Sequence, residues 1–428
     1  MKKRQKDVAY MDFQQLLRPK ACSCGMEHTC AIKHVEIGYH ALEKLPNLTE
    51  AYQHILVVAD ANTYGTCGSR VETLLGTKRM QSLVFPGDTL LVPNEAAIAV
   101  IQAQLRPETD LILGIGSGVI QDLCKYVSFE AGLPYQIIAT APSMDGYASK
   151  GAAMIIGNMK ITYNAHVPEA ILGDLDILKD APMELIQSGY GDILGKFSCL
   201  NDWKLSAVVR AEYFCQTIYD MIYDMLMQVK NLGPNLLRRD PDAIGTLMEA
   251  LVGVGVAMAF VGNSRPASGS EHHLSHFFEV TGLLNEEFYF MHGIDVVYSA
   301  VYTQRLREEL LQLDHPIPHN GHNRERWEQD IRAIYTDAAR GVIELQDKLG
   351  WYEQNRLPVY EAKWPEICKV LQEVPSSEQL EAYLNSVGLD IHSFEATYGK
   401  NKIQDAIWYA KDLKDRYSVL WMYYDLMR

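Results

Sequence analysis

The sequence predicts an α/β amino-terminal domain with a mostly parallel sheet, followed by an all-helical carboxyl-terminal domain. The chain of 428 residues exceeds what one hydrophobic core usually supports. Short apolar runs alternate with helical patterns over the first part, as in parallel strands joined by crossovers. After Asp174 the strand signal largely disappears, and apolar residues recur at helical period. We therefore expect a first domain over residues 1–180 and a second over residues 181–428.

The strands and helices of the first domain follow in order. Their apolar runs are short and continuous, which is typical of strands buried on both faces. The predicted strands are His54–Asp60, Ser82–Phe85, Asp110–Leu113 and Tyr135–Ala139. Helices are expected over residues 93–105 and 118–130, and a hairpin with a tight turn at Gly157–Asn158 between Met154 and Tyr163. The predicted helices of the second domain cover residues 183–206, 207–230, 241–261, 270–281, 291–312 and 323–347.

Composition and charge exclude several classes of partner. The formal net charge of -15 argues against nonspecific binding of nucleic acid or anionic lipid, because the phosphates would be repelled. The basic amino-terminal segment lacks the apolar core of a signal peptide. The apolar run Ala250–Gly262 is too short to span a membrane. We expect a cytoplasmic protein whose partner is a small molecule.

A glycine-rich segment, Gly114–Gly118, follows a strand and opens a helix. Free backbone N–H groups and the helix dipole at such a turn favour a pyrophosphate. The third glycine of the standard dinucleotide motif is missing, so an ordinary turn is the alternative. Asp60 ends an earlier strand, where its carboxylate can bind an adenosine ribose and favour NAD over NADP, although aspartate is common at strand ends. The predicted dinucleotide contacts here are Asp60, Gly116, Ser117, Gly118, Val119, Ile120, Gln121 and Asp122.

The segment Thr140–Ser149 follows the next strand, where ligand crevices form in parallel sheets. Its hydroxyl groups can orient a carboxamide or a ribose, and Asp145 can bind a substrate hydroxyl. A plain turn is the alternative. The predicted cofactor contacts of this segment are Thr140, Ala141, Pro142, Ser143 and Ser149.

Three histidines mark a candidate metal site. A capped start and the absence of proline and glycine predict a helix from Ser270 to Glu279. His272 and His276 then share one face, while His273 points elsewhere. His292 precedes a glycine at the start of another helix. A single histidine is more often a hydrogen-bonded residue than a ligand, but three in this arrangement favour a divalent metal.

Asp192 completes this candidate site. It lies in a small, apolar helix start between Gly189 and Lys196, where an idle charge is costly and a metal would neutralise it. Asp192, His272 and His292 would form a metal site with open positions for substrate oxygens, as in catalytic sites. Asp192 is therefore both a predicted metal ligand and a predicted substrate contact.

The eight cysteines include a second cluster. Cys22, Cys24 and Cys30, with His28 between them, have spacings that could hold a structural zinc. The pattern is not a paired CxxC array. Reduced thiols without a metal are the favoured interpretation, because cytosol keeps thiols reduced.

Five segments resemble sn-glycerol-1-phosphate dehydrogenases, particularly the AraM-type branch, in the superfamily of glycerol dehydrogenase and dehydroquinate synthase. They are GIGSGVIQD, TAPSMDGYAS, GYGDILGK, SRPASGSEHHLSHFFE and MHGIDVV, over about residues 31–300. The resemblance implies NAD(P)H-dependent reduction of dihydroxyacetone phosphate to sn-glycerol 1-phosphate for lipid synthesis. It also implies a divalent metal, zinc, iron or nickel, and a homodimer. Asp192, His272 and His292 resemble the metal ligands, and His276 and Asp145 resemble substrate contacts.

The resemblance implies a chemical role for each part of the site. The metal would polarise the ketone, and His276, Asp145 and Asp192 are the predicted catalytic residues. Arg265 or Lys160 is expected to hold the phosphate. A glycerol dehydrogenase, a cyclase like dehydroquinate synthase and a binding protein without catalysis remain alternatives. Glycerol dehydrogenases lack the SRPASGSEH run, and dehydroquinate synthases have GHTFGH in place of SEHHLSH.

Overall fold

A computed structural model describes residues 11–76, 79–157, 159–317 and 321–428. These residues form two compact units. The first contains the described residues up to Tyr190 together with Pro234–Gly262, and the second contains Gly191–Gly233 and Asn263–Arg428. A single boundary near residue 180 was expected, whereas the chain here returns to the first unit over Pro234–Gly262, which contains the helix Pro241–Val261 and nearly all of the helix Gly233–Leu237. Asn158 of the predicted turn lies outside the described residues.

Among the described residues, every strand belongs to the first unit. They are β1 Lys20–Ala21, β2 Glu27–His28, β3 His34–Gly38, β4 His54–Asp60, β5 Arg79–Phe85, β6 Leu111–Gly116, β7 Tyr135–Ala139, β8 Gly151–Ile156, β9 Met159–Asn164 and β10 Ala170–Asp174. Six of them form one sheet in the order β3-β10-β7-β6-β4-β5. Every neighbouring pair in it is parallel, which confirms the predicted sheet. β8 and β9 form the predicted antiparallel hairpin.

The helices cover most of the second unit and both connect and flank the sheet of the first. In chain order they are α1 Phe13–Leu16, α2 Leu45–Leu48, α3 Ala61–Leu75, α4 Glu95–Gln102, α5 Gly118–Glu130, α6 Leu175–Leu178, α7 Met183–Leu194, α8 Lys196–Arg210, α9 Gln216–Val229, α10 Gly233–Leu237, α11 Pro241–Val261, α12 Ser270–Asn285, α13 His292–Leu310, α14 Arg324–Tyr335, α15 Ala339–Leu349, α16 Leu357–Leu371, α17 Ser377–Ser386, α18 Ile391–Tyr409 and α19 Val419–Met427. Two predicted helices are each divided, the first between α7 and α8 and the second between α14 and α15. Thr336, at the second division, has a positive φ of 42°.

The core of the first unit lies on both faces of the central strands. β6 and β7 are buried along their whole length. Ile55, Val57, Leu113, Ile138 and Leu172 belong to one buried apolar cluster on this sheet. Each such side chain stabilises the fold by about 1.5–3 kcal/mol through burial. The continuous apolar runs in the sequence therefore reflect strands with no solvent-facing side.

Helix α11 is the apolar core helix of the first unit. It is long and apolar enough to cross a membrane by length and composition, and it extends well beyond the run Ala250–Gly262. However, 94% of its most apolar window is buried inside the protein, so this is weak support for a membrane span. Gly255 lets it approach the segment after β7, because a Cβ there would lie 2.7 Å from the carbonyl oxygen of Asp145. The helix thus supports the loop that carries Asp145.

A buried ion pair organises the second unit. The Arg307 guanidinium on α13 lies 2.8 Å from Asp202 on α8, and both side chains are fully buried. Asp202 also accepts hydrogen bonds from the backbone N–H of Ser270 at 2.6 Å and of Val419 at 2.9 Å. These contacts fix the start of α12 and the start of α19 against α8 and α13. Losing one partner of such a pair costs about 3–5 kcal/mol.

Candidate metal centre and dinucleotide-binding residues

Asp192, His272 and His292 converge within the second unit. One ligand atom of each lies within 4.8 Å of the other two. His272 Nε2 is 3.8 Å from Asp192 Oδ1, and the centres of the two imidazole rings are 5.1 Å apart. Around a tetrahedral ion with bonds of about 2.1 Å, neighbouring ligand atoms lie about 3.4 Å apart. The three side chains therefore need only small adjustments to hold a divalent cation.

Close backbone approach brings these ligands together. A Cβ on Gly191 would lie 2.3 Å from the carbonyl oxygen of Gly293, so only glycine lets α7 pass the start of α13 at this distance. A Cβ on Gly195 would lie 2.5 Å from the Val296 side chain. The glycines beside Asp192 are thus explained by packing of the helix that presents this carboxylate to His292.

The electrostatics give two of the ligands the charge states that a metal requires. Burial opposes ionisation of Asp192, but Lys196 with its Nζ at 2.8 Å, together with His292 and His272, lowers the pKa of this carboxyl to about 2. Burial, followed by the charges of Lys196 and His292, holds the pKa of His272 well below its ordinary value. Asp192 is therefore an anion and His272 a neutral imidazole at neutral pH, as metal ligands must be.

Glu271 orients His272. Its Oε1 accepts a hydrogen bond from His272 Nδ1 at 2.6 Å and another from the backbone N–H of Gly269 at 2.8 Å. Because Oε1 also accepts from the Gly269 N–H, it is assigned as the acceptor of both bonds, which places the proton of His272 on Nδ1 and leaves the lone pair of Nε2 facing Asp192. Burial raises the pKa of Glu271, although the Gly269 N–H and Lys196 oppose this. A buried carboxylate behind a histidine is the usual outer partner of a metal ligand.

His276 lies one helical turn after His272 and forms a second cluster. Ligand atoms of His276, Glu279 and His292 lie within 4.8 Å of one another, and all three residues are half-buried. The His276 ring is 6.1 Å from that of His272 and 5.7 Å from that of His292, between ring centres. His273 is fully buried elsewhere, with its pKa lowered well below the ordinary value by burial. The rings of His272, His276 and His292 therefore lie close together, and His273 belongs to neither cluster.

In the first unit, the glycine-rich turn joins β6 to α5. Added Cβ atoms on Gly114 and Gly116 would lie 2.7 Å from Ile137 and 2.6 Å from Ile120, so packing explains these two glycines. At Gly118 the nearest atom is 3.9 Å away, and Ser117 and Gly118 are half-exposed. The open part of the turn is thus its last two residues and the first helical turn.

The following residues differ in accessibility. Val119 and Asp122 are half-buried, whereas Ile120 and Gln121 are buried. Gln121 Nε2 donates to Tyr135 Oη at 3.1 Å and to a backbone carbonyl at 2.8 Å. Internal packing and hydrogen bonds therefore account for Ile120 and Gln121, and their predicted contact with a cofactor stays a prediction.

The segment after β7 lies beside this turn. The backbone N–H of Thr140 donates to the Gly116 carbonyl at 3.1 Å. Ser149 Oγ donates to a backbone carbonyl at 3.1 Å and lies 3.5 Å from Nζ of the fully buried Lys125. Asp145 is largely buried at the start of a short 3₁₀ helix, Asp145–Ala148. Ser149 therefore has an internal structural role, whereas Thr140 lies at the carboxyl edge of the sheet next to the glycine turn.

Ala141, Pro142 and Ser143 are buried against the end of the first unit. A Cβ on Gly189 would lie 1.8 Å from the Pro142 carbonyl oxygen, so α7 contacts this segment through glycine. Ser188 Oγ donates to the Ser143 carbonyl at 3.0 Å. Ser188 and Gly189 of α7 therefore hold the segment Ala141–Ser143 in place.

Asp60 has a structural role in addition to the predicted one. Its Oδ1 accepts hydrogen bonds from the backbone N–H groups of Asn62 at 2.8 Å and Thr63 at 2.9 Å, which caps α3. A cap of this kind stabilises a helix by about 1 kcal/mol. Binding of a ribose by the same carboxylate stays a prediction.

Comparisons with known proteins decide the family. The profile of the family described as iron-containing alcohol dehydrogenase matches residues 36–182. A glycerol-1-phosphate dehydrogenase [NAD(P)+] from Halalkalibacterium halodurans is 30% identical over 407 residues, 94% of either chain. The chain belongs to the glycerol-1-phosphate dehydrogenase family. A relative of the same name from Bacillus subtilis is 28% identical over 400 residues, 91% of either chain.

Solved structures share the fold of this glycerol-1-phosphate dehydrogenase family member. A 1,3-propanediol oxidoreductase has a TM-score of 0.62 at 12% identity, covering 91% of this chain and 94% of the other. Glycerol dehydrogenase from Schizosaccharomyces pombe has a TM-score of 0.54 at 16% identity, covering 87% and 95%. At these identities the likeness extends to the fold alone, and it agrees with the fold class expected from the sequence.

Arg265 does not fit its expected role in this family member. The side chain is 2% exposed, and its NH2 donates to the carbonyls of Asp202 at 3.0 Å and Tyr417 at 2.7 Å. Its Nε lies 3.1 Å from Glu212. Arg265 therefore stabilises the interior of the second unit and is not placed to hold a substrate phosphate. The side chain of Lys160, the other candidate, lies outside the described residues.

Sequence reasoning missed three charged residues around the candidate metal ligands. Lys196 follows Asp192 by four residues, and its Nζ also donates to the Ala267 carbonyl at 3.0 Å. Glu271 precedes His272 directly, and Glu279 follows His276 by three residues. Helical spacing identifies Lys196 as a neighbour of Asp192 and Glu279 as a neighbour of His276. The adjacency of Glu271 to His272 carried no such signal, because consecutive helical residues ordinarily point in different directions.

Proposed function

We propose that this protein reduces dihydroxyacetone phosphate to sn-glycerol 1-phosphate with NADH or NADPH, reversibly, and so supplies a glycerophosphate backbone for lipid synthesis. The main support is the convergence of Asp192, His272 and His292 in a chain whose relatives are named glycerol-1-phosphate dehydrogenase [NAD(P)+].

Asp192, His272 and His292 would hold one divalent metal, with zinc, iron and nickel as candidates. Such an ion supplies Lewis acidity that polarises a ketone. The donor set of one carboxylate and two imidazoles fits a first-row divalent ion. Lys196 keeps Asp192 ionised, and Glu271 keeps the His272 proton on the nitrogen that faces away from the ligand position. The site thus needs no proton release from either group when an ion binds.

The glycine-rich turn of the first unit is the proposed dinucleotide site. The nicotinamide cofactor supplies the hydride, and NAD is favoured over NADP by the carboxylate of Asp60. The backbone N–H groups of Ser117, Gly118 and Val119 are proposed to bind the pyrophosphate, since a Cβ added at Gly118 would have no neighbouring atom closer than 3.9 Å. Asp122 and Thr140 are proposed as further contacts with the cofactor, because Asp122 lies in the half-exposed first turn of α5 and Thr140 follows the neighbouring strand β7.

His276 and Asp145 are the proposed substrate contacts. His276 is half-buried next to both metal-binding imidazoles, which supports a role in placing the substrate or moving a proton at its secondary oxygen. Asp145 is proposed to accept a hydrogen bond from a substrate hydroxyl.

Lys414 is the candidate cation for the substrate phosphate, in place of Arg265. Burial is the largest cause that lowers the pKa of His272 and His273, and the charge of Lys414 contributes to both shifts, so Lys414 lies within electrostatic reach of His272. It is half-buried, unlike the deeply buried Arg265. An ammonium group binds a phosphate as a point charge and does not need the paired geometry of arginine.

The decisive experiment is NAD(P)H oxidation with dihydroxyacetone phosphate as substrate, followed by chiral analysis of the product. We expect turnover that a chelator abolishes and added metal restores, with weak activity on glycerol or glyceraldehyde phosphate. A cyclase like dehydroquinate synthase would show no net oxidation of NADH. Activity indifferent to chelator and to His272→Ala would remove the metal from the mechanism.

The phosphate assignment has its own test. Lys414→Met should raise KM for dihydroxyacetone phosphate and leave KM for unphosphorylated dihydroxyacetone nearly unchanged. Lys402→Met, which removes a surface ion pair with Glu287, is the matched control. Equal effects of Lys414→Met on both substrates would exclude a phosphate contact.

We also propose a homodimer in the cytoplasm. The family resemblance supports the homodimer, and the burial of α11 inside the protein supports the location. Light scattering during size-exclusion chromatography measures the assembly directly, and a monomer at micromolar concentration would exclude a stable dimer.

A further inference from the structure

The amino-terminal hairpin of the first unit carries a second cluster of potential metal ligands, and the catalytic proposal does not use it. β1 and β2 pair antiparallel, with Lys20 opposite His28. The turn between them is closed by hydrogen bonds from the Cys22 N–H to the Met26 carbonyl at 3.1 Å and from the Gly25 N–H to the Cys22 carbonyl at 3.0 Å. Gly25 has a φ of 84°, a conformation that favours glycine. The turn therefore fixes both of its cysteines on a short, closed loop.

The side chains of Cys22, Cys24 and His28 converge. One ligand atom of each lies within 4.8 Å of the others, and Cys24 Sγ is 3.5 Å from His28 Nε2. With Zn–S bonds of about 2.3 Å and Zn–N bonds of about 2.05 Å, a sulfur and a nitrogen on one tetrahedral zinc lie about 3.6 Å apart. The observed separation thus matches that of two ligands sharing an ion.

His28 is held in the orientation and tautomer of a metal ligand. It is 1% exposed, and its Nδ1 lies 3.3 Å from the carbonyl oxygen of Phe260 in the last turn of α11. A carbonyl only accepts, so the proton belongs on Nδ1, and Nε2 presents its lone pair to Cys24. Metal-binding histidines commonly donate their other nitrogen to a backbone carbonyl in this way.

We propose that Cys22, Cys24 and His28 bind a structural zinc ion, with one further donor completing the tetrahedral shell. The ion would join the amino-terminal hairpin to the carboxyl end of α11 through His28. Cys30 is not part of this cluster. The sequence favoured thiols without a metal, and the convergence of a third ligand, His28, is what changes that interpretation.

Two soft thiolates and one imidazole select zinc over the harder ions. Two thiolates also balance the charge of a divalent ion, which matters because His28 is withdrawn from water. A hydrogen bond from the Cys24 thiol to His28 and a disulfide between the two cysteines are the competing explanations. Each predicts no zinc at the hairpin, and the experiment separates all three.

The first measurement is zinc content in the variant His272→Ala/His292→Ala, in which two catalytic ligands are absent. We expect about one zinc per chain to remain after gel filtration, as for a closed structural site. Adding Cys22→Ser and Cys24→Ser should remove it, whereas adding Cys368→Ser, a half-exposed cysteine of the second unit, should not. Absence of zinc from the starting variant would overturn the proposal.

The second measurement uses the same His272→Ala/His292→Ala protein without changing any cysteine, which guards against variants that fail to fold. Its cysteines are alkylated with and without a zinc chelator, and the modified positions are identified by mass spectrometry. We expect Cys22 and Cys24 to react only after chelation, while Cys368 reacts equally in both conditions. Equal early reaction of Cys22 and Cys24, or their recovery as a disulfide, would contradict a zinc site.

Cobalt substitution identifies the donors. In the same variant, cobalt bound by two thiolates should give a sulfur-to-metal charge-transfer absorption that is lost in Cys24→Ser. A cobalt spectrum without sulfur charge transfer would show that the ion lies elsewhere.

Discussion

Replacing Glu271 by glutamine tests whether this carboxylate orients the proposed metal ligand His272. The substitution keeps the size of the side chain and removes its charge. In the structure one carboxylate oxygen accepts from His272 Nδ1 at 2.6 Å and from the Gly269 N–H at 2.8 Å, in a fully buried position. Glutamine can still accept, but the bond to His272 loses its charge assistance.

The expected size follows from that loss. Hydrogen bonds to a charged acceptor contribute about 1.5–3 kcal/mol, compared with about 0.5–1.5 kcal/mol between neutral groups. The difference of about 1–1.5 kcal/mol corresponds to a metal dissociation constant that is about tenfold higher, that is, to weaker binding. Glu271→Ala also leaves a buried N–H of His272 without an acceptor, and about a hundredfold loss is expected. At saturating metal, Glu271→Gln should recover most of its kcat, because it changes the ligand's orientation and not the substrate's contacts.

The assay is competition for metal with a chromophoric chelator, with kcat measured at saturating metal. Glu308→Gln is the matched control, because Glu308 accepts from the Ser377 N–H and hydroxyl, both at 2.7 Å, outside the candidate site. Both variants should lose similar stability, but only Glu271→Gln should lose metal. A metal affinity of Glu271→Gln within about twofold of the parent protein would refute the orienting role.

Three further changes test the packing and the electrostatics. Gly191→Ala should weaken metal binding and activity by about a hundredfold, because the new Cβ would lie 2.3 Å from a backbone oxygen at the start of α13. Gly65→Ala is the control, because an added Cβ there has open space around it, and it should change neither metal binding nor activity. Arg307→Ala should lower the urea midpoint by an amount equivalent to about 3–5 kcal/mol, whereas Arg305→Ala, which removes partly exposed ion pairs, should cost about 1 kcal/mol or less. Burial lowers the pKa of Lys411 to about 8, compared with about 10.4 in the unfolded chain. Between these two pH values the folded state binds fewer protons than the unfolded state, so the free energy of unfolding should rise with pH by about 1 kcal/mol per pH unit. Urea unfolding at pH 8 and pH 9.5 should show this rise in the parent protein and a smaller one in Lys411→Met; identical slopes would contradict it.

The fold was largely predictable because the central strands are buried on both faces. Continuous apolar runs such as His54–Asp60 match the observed strand residue for residue. The edge strand β3, HVEIG, was not predicted, since it is half-exposed and carries Glu36 within a short run. The assignment of α11 to the first unit also could not be predicted. Helical periodicity indicates that a face is buried, but an all-round apolar helix does not say which elements cover it.

The predicted dinucleotide contacts at the start of α5 differ in accessibility, and the helix explains why. A run of four residues after the glycine turn was assigned to cofactor binding, but consecutive helical positions point about 100° apart. Ile120 and Gln121 therefore face the interior, and Val119 and Asp122 are half-exposed. A sequence motif marks a segment, whereas accessibility selects individual residues within it.

The candidate metal site shows which sequence signal was the stronger one. A buried Asp192 was taken to need a metal, but Lys196, four residues later at the start of α8, already neutralises it at 2.8 Å. The burial of Asp192 by itself therefore does not require a metal ion. His272 and His292 come from two other helices, and an Asp–Lys pair gives no reason for both imidazoles to approach the same carboxylate within 4.8 Å. Neutral imidazoles gain little from packing together, whereas a shared cation would give each nitrogen a ligand role. The reason to expect a metal is the meeting of these histidines with Asp192, and the glycine contacts beside Asp192 are the structural feature that makes the meeting possible.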